Sequence, residues 1–321
     1  HVKCTRELDD NSQTKNDKKD PKTIAMLVKD GRFRDVYIPE DVYQELREAV
    51  SERERLVEQM ISLSNQVIRW LDIRFPEFNQ VFKNWRGEAA WLTLRHFPTP
   101  AKVAATGASS IVSTWRKKMK KPSLKKAEKL VNLAIRSIGR TAGNEAAEAA
   151  LQNLLTQYEM VMRQKQDIEQ LMQELLIKVP SASKLVDIKG MGMVAAAVIV
   201  SEIGDISRFN DPRQIQKMAG LSLRENSSGK HKGKTRISKR GRRRLREGLF
   251  RAMITMLATN SEFRQLHQRN LSREQNPLNK MESIVALCGK LIRVIFAILT
   301  KGNDYDADRM LNDMKRSMKA A

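Results

Sequence analysis

Ser227 and Ser228 precede Gly229 and a dense run of cations: Lys230, Lys232, Lys234, Arg236, Lys239, Arg240, Arg242, Arg243, Arg244 and Arg246. A loop of this composition can hold a phosphodiester beside a nucleophile. Guanidinium forks and ammonium groups donate to phosphate oxygens, and a serine hydroxyl attacks once something activates it or stabilises the charge that develops. Serines before a glycine are also ordinary turn formers, and His231, the one near histidine, reads as a phosphate contact or a solvent residue. The density of the cations is poorly explained as a solvated face and assigns the run to phosphate binding.

Two further sets of residues could act with it. Gly190-Met191-Gly192 stands between the apolar stretch around Leu185 and Val186 and a small-residue helix over Ala195 to Val200. That pattern reads as a helix-hairpin-helix, in which glycines let backbone approach a phosphate and the next helix turns its free N–H groups and positive dipole end toward it. Any tight turn between helices can use glycine as well. Near the start, Asp17 and Asp20 are close enough to share one divalent ion. Asp20 before Pro21 equally suits an N-cap with proline at the first helical position.

The elements that must position these residues follow from periodicity. Ile24, Leu27 and Val28 fall at helical spacing before Gly31, and Val36-Tyr37-Ile38 suits a short strand. From Asp41 to Phe75 the apolar positions Leu46, Val50, Leu56, Met60, Leu63, Val67 and Leu71 predict a long amphipathic helix ended by Pro76. A second long helical stretch runs from about Ser123 to Lys178, interrupted near Gly139 to Gly143. Together they predict an antiparallel coiled-coil arm or an interdomain bundle around a compact connector. In that connector Trp115 to Lys121 suits a solvated face and a nucleic-acid backbone contact equally. Ser181-Ala182-Ser183 is expected to cap a helix carrying Leu185. A helix beginning at Asp211-Pro212 ends at Ala219-Gly220. Leu245 to Leu257 and Ile284 to Ile298 make the last two helices, and the polar tail after Gly302 is expected to fray. The fold class is therefore mainly α, with 1–40 one domain, 41–179 a helical arm with a basic connector, 180–302 a helix-hairpin-helix domain and 303–321 a tail.

The totals narrow the partners. A formal net charge of +22 and a pI near 10.1 point to a polyanion, nucleic acid first. No window is read as approaching the run of about 18 apolar residues that spans a bilayer, so no membrane is expected and the localisation is read as cytoplasmic. Cys4 and Cys288 are isolated, which supports neither a disulfide framework nor a zinc site, and Cys288 reads as core.

Taken together, the chain resembles a prokaryotic insertion-sequence transposase of the family that joins an N-terminal RuvC-like DEDD domain, an RNase H-type α/β fold, to a C-terminal serine transposase domain. His1-Val2-Lys3 with Asn16-Asp17-Lys18-Lys19-Asp20 resembles the end of the DEDD domain. Leu185 to Phe209 resembles the family's helix-hairpin-helix entry. Ala219-Gly220-Leu221, Ser227-Ser228-Gly229 and Arg236-Ile237-Ser238-Lys239-Arg240-Gly241 resemble its most specific segment. The resemblance implies that Ser228 is the nucleophile, with Ser227 the neighbouring candidate, and that Asp17 and Asp20 are the last two acids of a Mg2+ site. It also implies that DNA is the substrate, that a structured bridge RNA guides the reaction, that subunits pair as dimers and assemble into tetramers, and that the protein works at the prokaryotic nucleoid. The first Asp and the Glu of that metal site are expected before His1. The competing expectation is a non-catalytic helix-hairpin-helix protein that binds DNA or junctions.

Overall fold

In the computed structural model the described residues are 20–32, 37–224, 227–228, 231–232 and 235–310. The chain divides into two units, His1–Glu40 and Asp41–Ala321. In the first, α1 (Asp20–Lys29) ends where Gly31 takes a left-handed φ of 65° and donates to the Val28 carbonyl. Tyr37 and Ile38 lie in no strand, against the sequence expectation, and Val36 is outside the described residues.

The second unit is built on two long antiparallel helices, α2 (Asp41–Arg74) and α7 (Asn144–Lys178). At one end Leu46 and Val50 share a core with Met172, Leu175 and Leu176; at the other Leu63, Val67 and Leu71 share one with Ala147, Leu151 and Leu155. Between these ends Arg53 Nε donates to Glu169 Oε1 at 2.6 Å and Lys165 Nζ to Glu169 Oε2 at 2.8 Å. Partial burial pushes the Glu169 carboxyl up, but the two cations outweigh it and hold the group below its ordinary range.

The connector folds into a head on the far half of this arm. It comprises α3 (Phe78–Val81), α4 (Glu88–His96), α5 (Pro100–Arg116) and α6 (Leu124–Ile135). Phe75, Phe78, Phe82, Trp85 and Trp115 are buried in its core. Their polar edges are satisfied, as buried indoles require: Trp85 Nε1 donates to Ser64 Oγ at 3.3 Å, Trp115 Nε1 to Thr93 Oγ1 at 3.0 Å, and Trp70 Nε1 to the Ala147 carbonyl at 2.8 Å. Trp115 is therefore core rather than a stacking platform. Glu77 closes the head onto the arm, accepting from Ser137 Oγ at 2.6 Å and from the Ile138 backbone N–H at 3.0 Å. Gly139 then passes so close to α2 that a Cβ there would stand 2.0 Å from the Arg74 carbonyl oxygen.

After α7 the chain does not enter an α-helix as expected. Ala182, Leu185, Ile188 and Met191 each donate a backbone N–H to the carbonyl three residues earlier, starting from Val179, and those same five residues are buried. Apolar residues every third position suit tight 3-10 turns, of which Ser183–Leu185 is a regular one. Then follow α8 (Met193–Ile203), α9 (Pro212–Met218), a β-hairpin, α10 (Arg243–Thr259), α11 (Ser261–Ser272) and α12 (Lys280–Lys301). Asn279 and Glu282 form a reciprocal capping box at the start of α12, and Gly302, φ 65°, ends it. Contrary to the sequence expectation, α12 is long and apolar enough by composition to cross a membrane, but 56% of that apolar window is buried inside the fold. Cys288 lies on this buried face, and burial pushes its thiol up to about 12. The start of the tail is docked rather than frayed: Met310 is buried in the core, and Lys184 pairs with Asp304 at 2.7 Å. The molecule is mainly α, with two two-residue ladders as the sheet among the described residues.

Glu77→Gln is expected to lower the unfolding free energy by about 1–3 kcal/mol, since it weakens the charged acceptor for two donors. Burial pushes the Glu77 carboxyl up, but the bonds from Ser137 and Ile138 prevail and leave it lowered. Its contribution is thus present above the ordinary carboxylate range and fades as pH falls through the lowered value. Urea unfolding of both proteins at neutral and acid pH should show the difference shrinking as pH falls.

Candidate nucleophile hairpin and its basic surroundings

The serines sit on a hairpin whose stem is fixed by two glycines. Gly220, φ 69°, follows α9; a Cβ there would meet the Arg240 carbonyl and Arg246 Nη1, both at 2.9 Å. Across from it a Cβ on Gly241, φ 146°, would stand 2.2 Å from the Met218 carbonyl. Only residues without a side chain let the two strands enter and leave this closely. The stem is then tied by Lys239 N–H to the Gly220 carbonyl at 3.0 Å, Ser238 N–H to Ser222 at 2.8 Å and Arg242 N–H to Met218 at 2.7 Å.

Beyond the stem, β1 (Leu223–Arg224) pairs antiparallel with β4 (Arg236–Ile237), placing Arg224 opposite Arg236. Further out, β2 (Ser227–Ser228) pairs with β3 (His231–Lys232), with Ser227 opposite Lys232 and Ser228 opposite His231. The serine expected to act as nucleophile is thus the register partner of the hairpin's histidine. Lys230 and Lys234 lie outside the described residues, as does Asp17. Asp20 is the first residue of α1, in front of Pro21.

The arginine run divides into two sets. Arg242 Nη1 donates to the Glu202 carbonyl oxygen at 2.5 Å and lies 3.5 Å from the Glu202 carboxylate. Arg244 lies 3.7 Å from the same carboxylate, pairs with Glu54 at 2.7 Å and donates to Ser51 Oγ at 3.0 Å. Arg246 Nη1 donates to the Ala219 carbonyl at 2.9 Å and to the Lys239 carbonyl at 3.3 Å. These three hold α10 to α8, to α2 and to the hairpin stem. Burial holds the Arg242 guanidinium below the usual arginine range; Glu202 works against that, and Arg47 and Arg208 add to it. The outward set is Arg236, Lys239, Arg240 and Arg243, all exposed. Arg243 makes one loose contact, 4.0 Å to Glu247, with its side chain 87% exposed. Glu202, 3% exposed, was missed from sequence, although a lone acid in the apolar stretch Val198-Ile199-Val200-Ser201-Glu202-Ile203 was the available signal.

The two glycines of the Gly-x-Gly turn serve different ends. Gly190, φ 94°, packs against the end of α10: a Cβ would meet Thr259 Oγ1 at 2.5 Å and Met256 Cα at 2.7 Å. Gly192, in contrast, has nothing within 4 Å of a Cβ position and caps α8 through its backbone, without a side-chain bond. The open face of the turn is at Gly192 and the start of α8, where first-turn N–H groups are available to an anion. Among the described residues no three His, Cys, Asp or Glu side chains cluster as a metal set.

The glycine-clamped hairpin with its exposed cations lies at the start of α10, and the open start of α8 lies at the other end of α10. Residues 182–268 match the family described as Transposase IS116/IS110/IS902, and residues 1–76 match a transposase family of the DEDD type named for IS110. The chain thus matches transposase families of insertion elements in two separate segments, the C-terminal one of the IS116/IS110/IS902 type and the N-terminal one of the DEDD type. It is similar to the Insertion element IS110 uncharacterized 43.6 kDa protein of Streptomyces coelicolor, at 21% identity over 92% of this chain and 73% of that protein. It is also similar to the Transposase for insertion sequence element IS1111A of Coxiella burnetii, 32% identical over 37% of this chain and 32% of that protein. The Pilin gene-inverting protein of Moraxella bovis is 30% identical over 39% of this chain and 38% of its own length.

Gly190→Ala is expected to cost about 2 kcal/mol or more, because it adds both the strain of a positive φ and a clash with α10; Gly192→Ala should stay within about 0.5 kcal/mol. Chemical denaturation midpoints check this, and a stable Gly190→Ala would mean that the packing on Met256 is not what holds the turn. Glu202→Ala, which leaves Arg242 and Arg244 facing an apolar gap, is expected to lower stability by about 3 kcal/mol, read from the same denaturation curves.

Proposed function

We propose that the chain is a DNA recombinase that breaks and rejoins strands through Ser228. The Ser228 Oγ attacks a DNA phosphorus, forming a phosphoserine ester as the bond to one deoxyribose oxygen breaks; that oxygen leaves with a proton. Attack on the phosphoserine by a hydroxyl from another strand reverses the step, rejoins DNA and returns the proton to Ser228. The observation that carries this reading is the placement of Ser228 on a hairpin held by Gly220 and Gly241, within the matched transposase segment, with Arg236, Lys239 and Arg240 exposed on the same hairpin and its stem. Such cations neutralise the phosphate and fix its position. The open start of α8 at Gly192, at the other end of α10, offers backbone donors to a phosphate further along the substrate.

Asp17 and Asp20 supply hard oxygen donors of the type Mg2+ takes, and the matched DEDD-type segment spans both. Mg2+ held there would supply a Lewis acid for charge on a DNA phosphate and for activation of a hydroxyl. We extend the same reading to a structured guide RNA, which the excess of positive charge could accommodate. It extends also to pairing of subunits through the arm, where Ile61 and Ile68 lie exposed seven residues apart on α2.

Incubation of the intact protein with guide RNA, donor and target DNA and Mg2+ should give a protein–DNA adduct that survives detergent and heat, and Ser228→Ala should abolish it. An adduct that persists in Ser228→Ala but disappears in Ser227→Ala moves the nucleophile by one residue. DNA binding without adduct or strand breakage under any divalent metal would make the protein an architectural DNA or junction binder instead.

A further inference from the structure

The head carries a second concentration of positive charge, on the far half of the arm and outside the hairpin just described. The turn between α5 and α6 holds Lys117, Lys118, Lys120 and Lys121, and the first turn of α6 adds Lys125 and Lys126. All six are exposed, and no ion pair engages any of them among the described residues. From Pro100 to Ala127 the sequence contains no Asp or Glu. Elsewhere on the head cations do pair with acids of the arm helix α7: Arg95 with Glu159 at 2.6 Å and Lys102 with Glu148. The cations of the turn are left facing solvent together.

The turn itself is firmly held. Below it Trp115 is buried and bonded to Thr93, with its ring 5.9 Å from that of Phe82. The Met119 and Lys118 backbone N–H groups donate to the Trp115 carbonyl at 2.9 and 3.1 Å. Ser123 caps α6, its Oγ accepting from the Lys126 N–H at 3.4 Å, so the positive end of the helix dipole adds to the same surface. Like charges gathered on an ordered turn repel one another, and an ordered turn cannot relieve that by spreading. A polyanion relieves it.

We propose that this turn is a second nucleic-acid contact that grips the backbone of duplex DNA. The chemistry selects that ligand. Lysines supply point charges for phosphates and read no bases. Single strands would call for an exposed ring to stack on, yet Trp115 is buried and the exposed apolar group beside the lysines is the aliphatic Leu124. The match of two segments to transposase families makes DNA the duplex at hand. The contact does not rest on the role of Ser228, and it acts by holding DNA rather than by reacting with it.

The test compares two variants of the full chain that lose the same charge. Lys118, Lys120 and Lys121→Gln removes the head contact; Lys178, Lys280 and Lys301→Gln removes exposed lysines elsewhere. Binding of a 40-base-pair duplex, a length of about four helical turns, is measured by fluorescence anisotropy across a salt series, with equal melting temperatures confirming that both variants fold. Three lost phosphate contacts should lower the slope of log affinity against log salt by about 2–3 and weaken binding at least about tenfold, while the other variant changes binding less than about twofold. Equal losses in both variants, or none in the head variant, would overturn the proposal. So would a loss confined to a structured RNA hairpin in a parallel series. Adduct formation by the head variant at saturating DNA should persist, which keeps this result separate from the assignment of Ser228.

Discussion

The buried carboxylate of Glu202 sets the geometry on which the hairpin depends. An isolated charge at that depth is costly, and the cost falls only when cations and hydrogen bonds surround it. Arg242 and Arg244 do so from the start of α10, and Arg244 continues to Glu54 and Ser51 on α2. One acid therefore ties together α8, α10 and the arm. Gly241 is the residue before Arg242, so the same ties fix where the hairpin leaves the domain. Arg246, bonded to the Ala219 and Lys239 carbonyls, fixes the stem from its other side. A loop that must present one hydroxyl to one phosphate gains from a rigid base, because small displacements of a nucleophile are expensive in rate.

The arm extends this rigidity over its length without merging its two ends. Its near half shares a core with the C-terminal helices, and its far half shares another with the head. The Arg53–Glu169–Lys165 group lies between them and pins the register of α2 against α7. At the head, Glu77 and the close pass of Gly139 stop the connector from swinging about the end of α2. Two basic surfaces are thus carried by two separately packed bodies joined through stiff helices, which suits a substrate long enough to be held in more than one place.

Much of the architecture was legible in the sequence because long helices write it plainly. The heptad-like spacing of Leu46 to Leu71 and of Leu151 to Leu176 gave both arm helices, and Pro76 and the Gly139 to Gly143 break gave their ends. The helix expected to carry Leu185 and Val186 after the Ser181-Ala182-Ser183 cap does not form, because those two residues say little without their neighbours. Val179, Ala182, Leu185, Ile188 and Met191 recur every three residues, and that period marks 3-10 winding. Gly190 was legible as a position that needs glycine, but the reason lies in Met256 and Thr259, more than sixty residues away, and no local pattern reveals such a neighbour. Likewise α12 has the hydropathy of a membrane span, and what makes it a core helix is the set of partners that tertiary packing supplies.

The arginine run shows most clearly why composition locates a site without resolving it. Residues of one type stand at 240, 242, 243, 244 and 246, and as a sequence they form one electrostatic feature. The fold separates them by direction. Arg242 is extended at the helix N-cap and Arg244 and Arg246 lie in the first turn, so all three side chains reach protein acceptors, whereas Arg240 and Arg243 face outward. Guanidinium suits both tasks, since its forked donors serve a carboxylate, a carbonyl or a phosphate. Loss of Arg242 or Arg244 therefore leaves Glu202 short of a partner and changes the stem before it changes any phosphate contact. Among the described residues of the run, the charge that DNA could meet on this side is carried by Arg236, Lys239, Arg240 and Arg243 rather than by Arg242, Arg244 and Arg246.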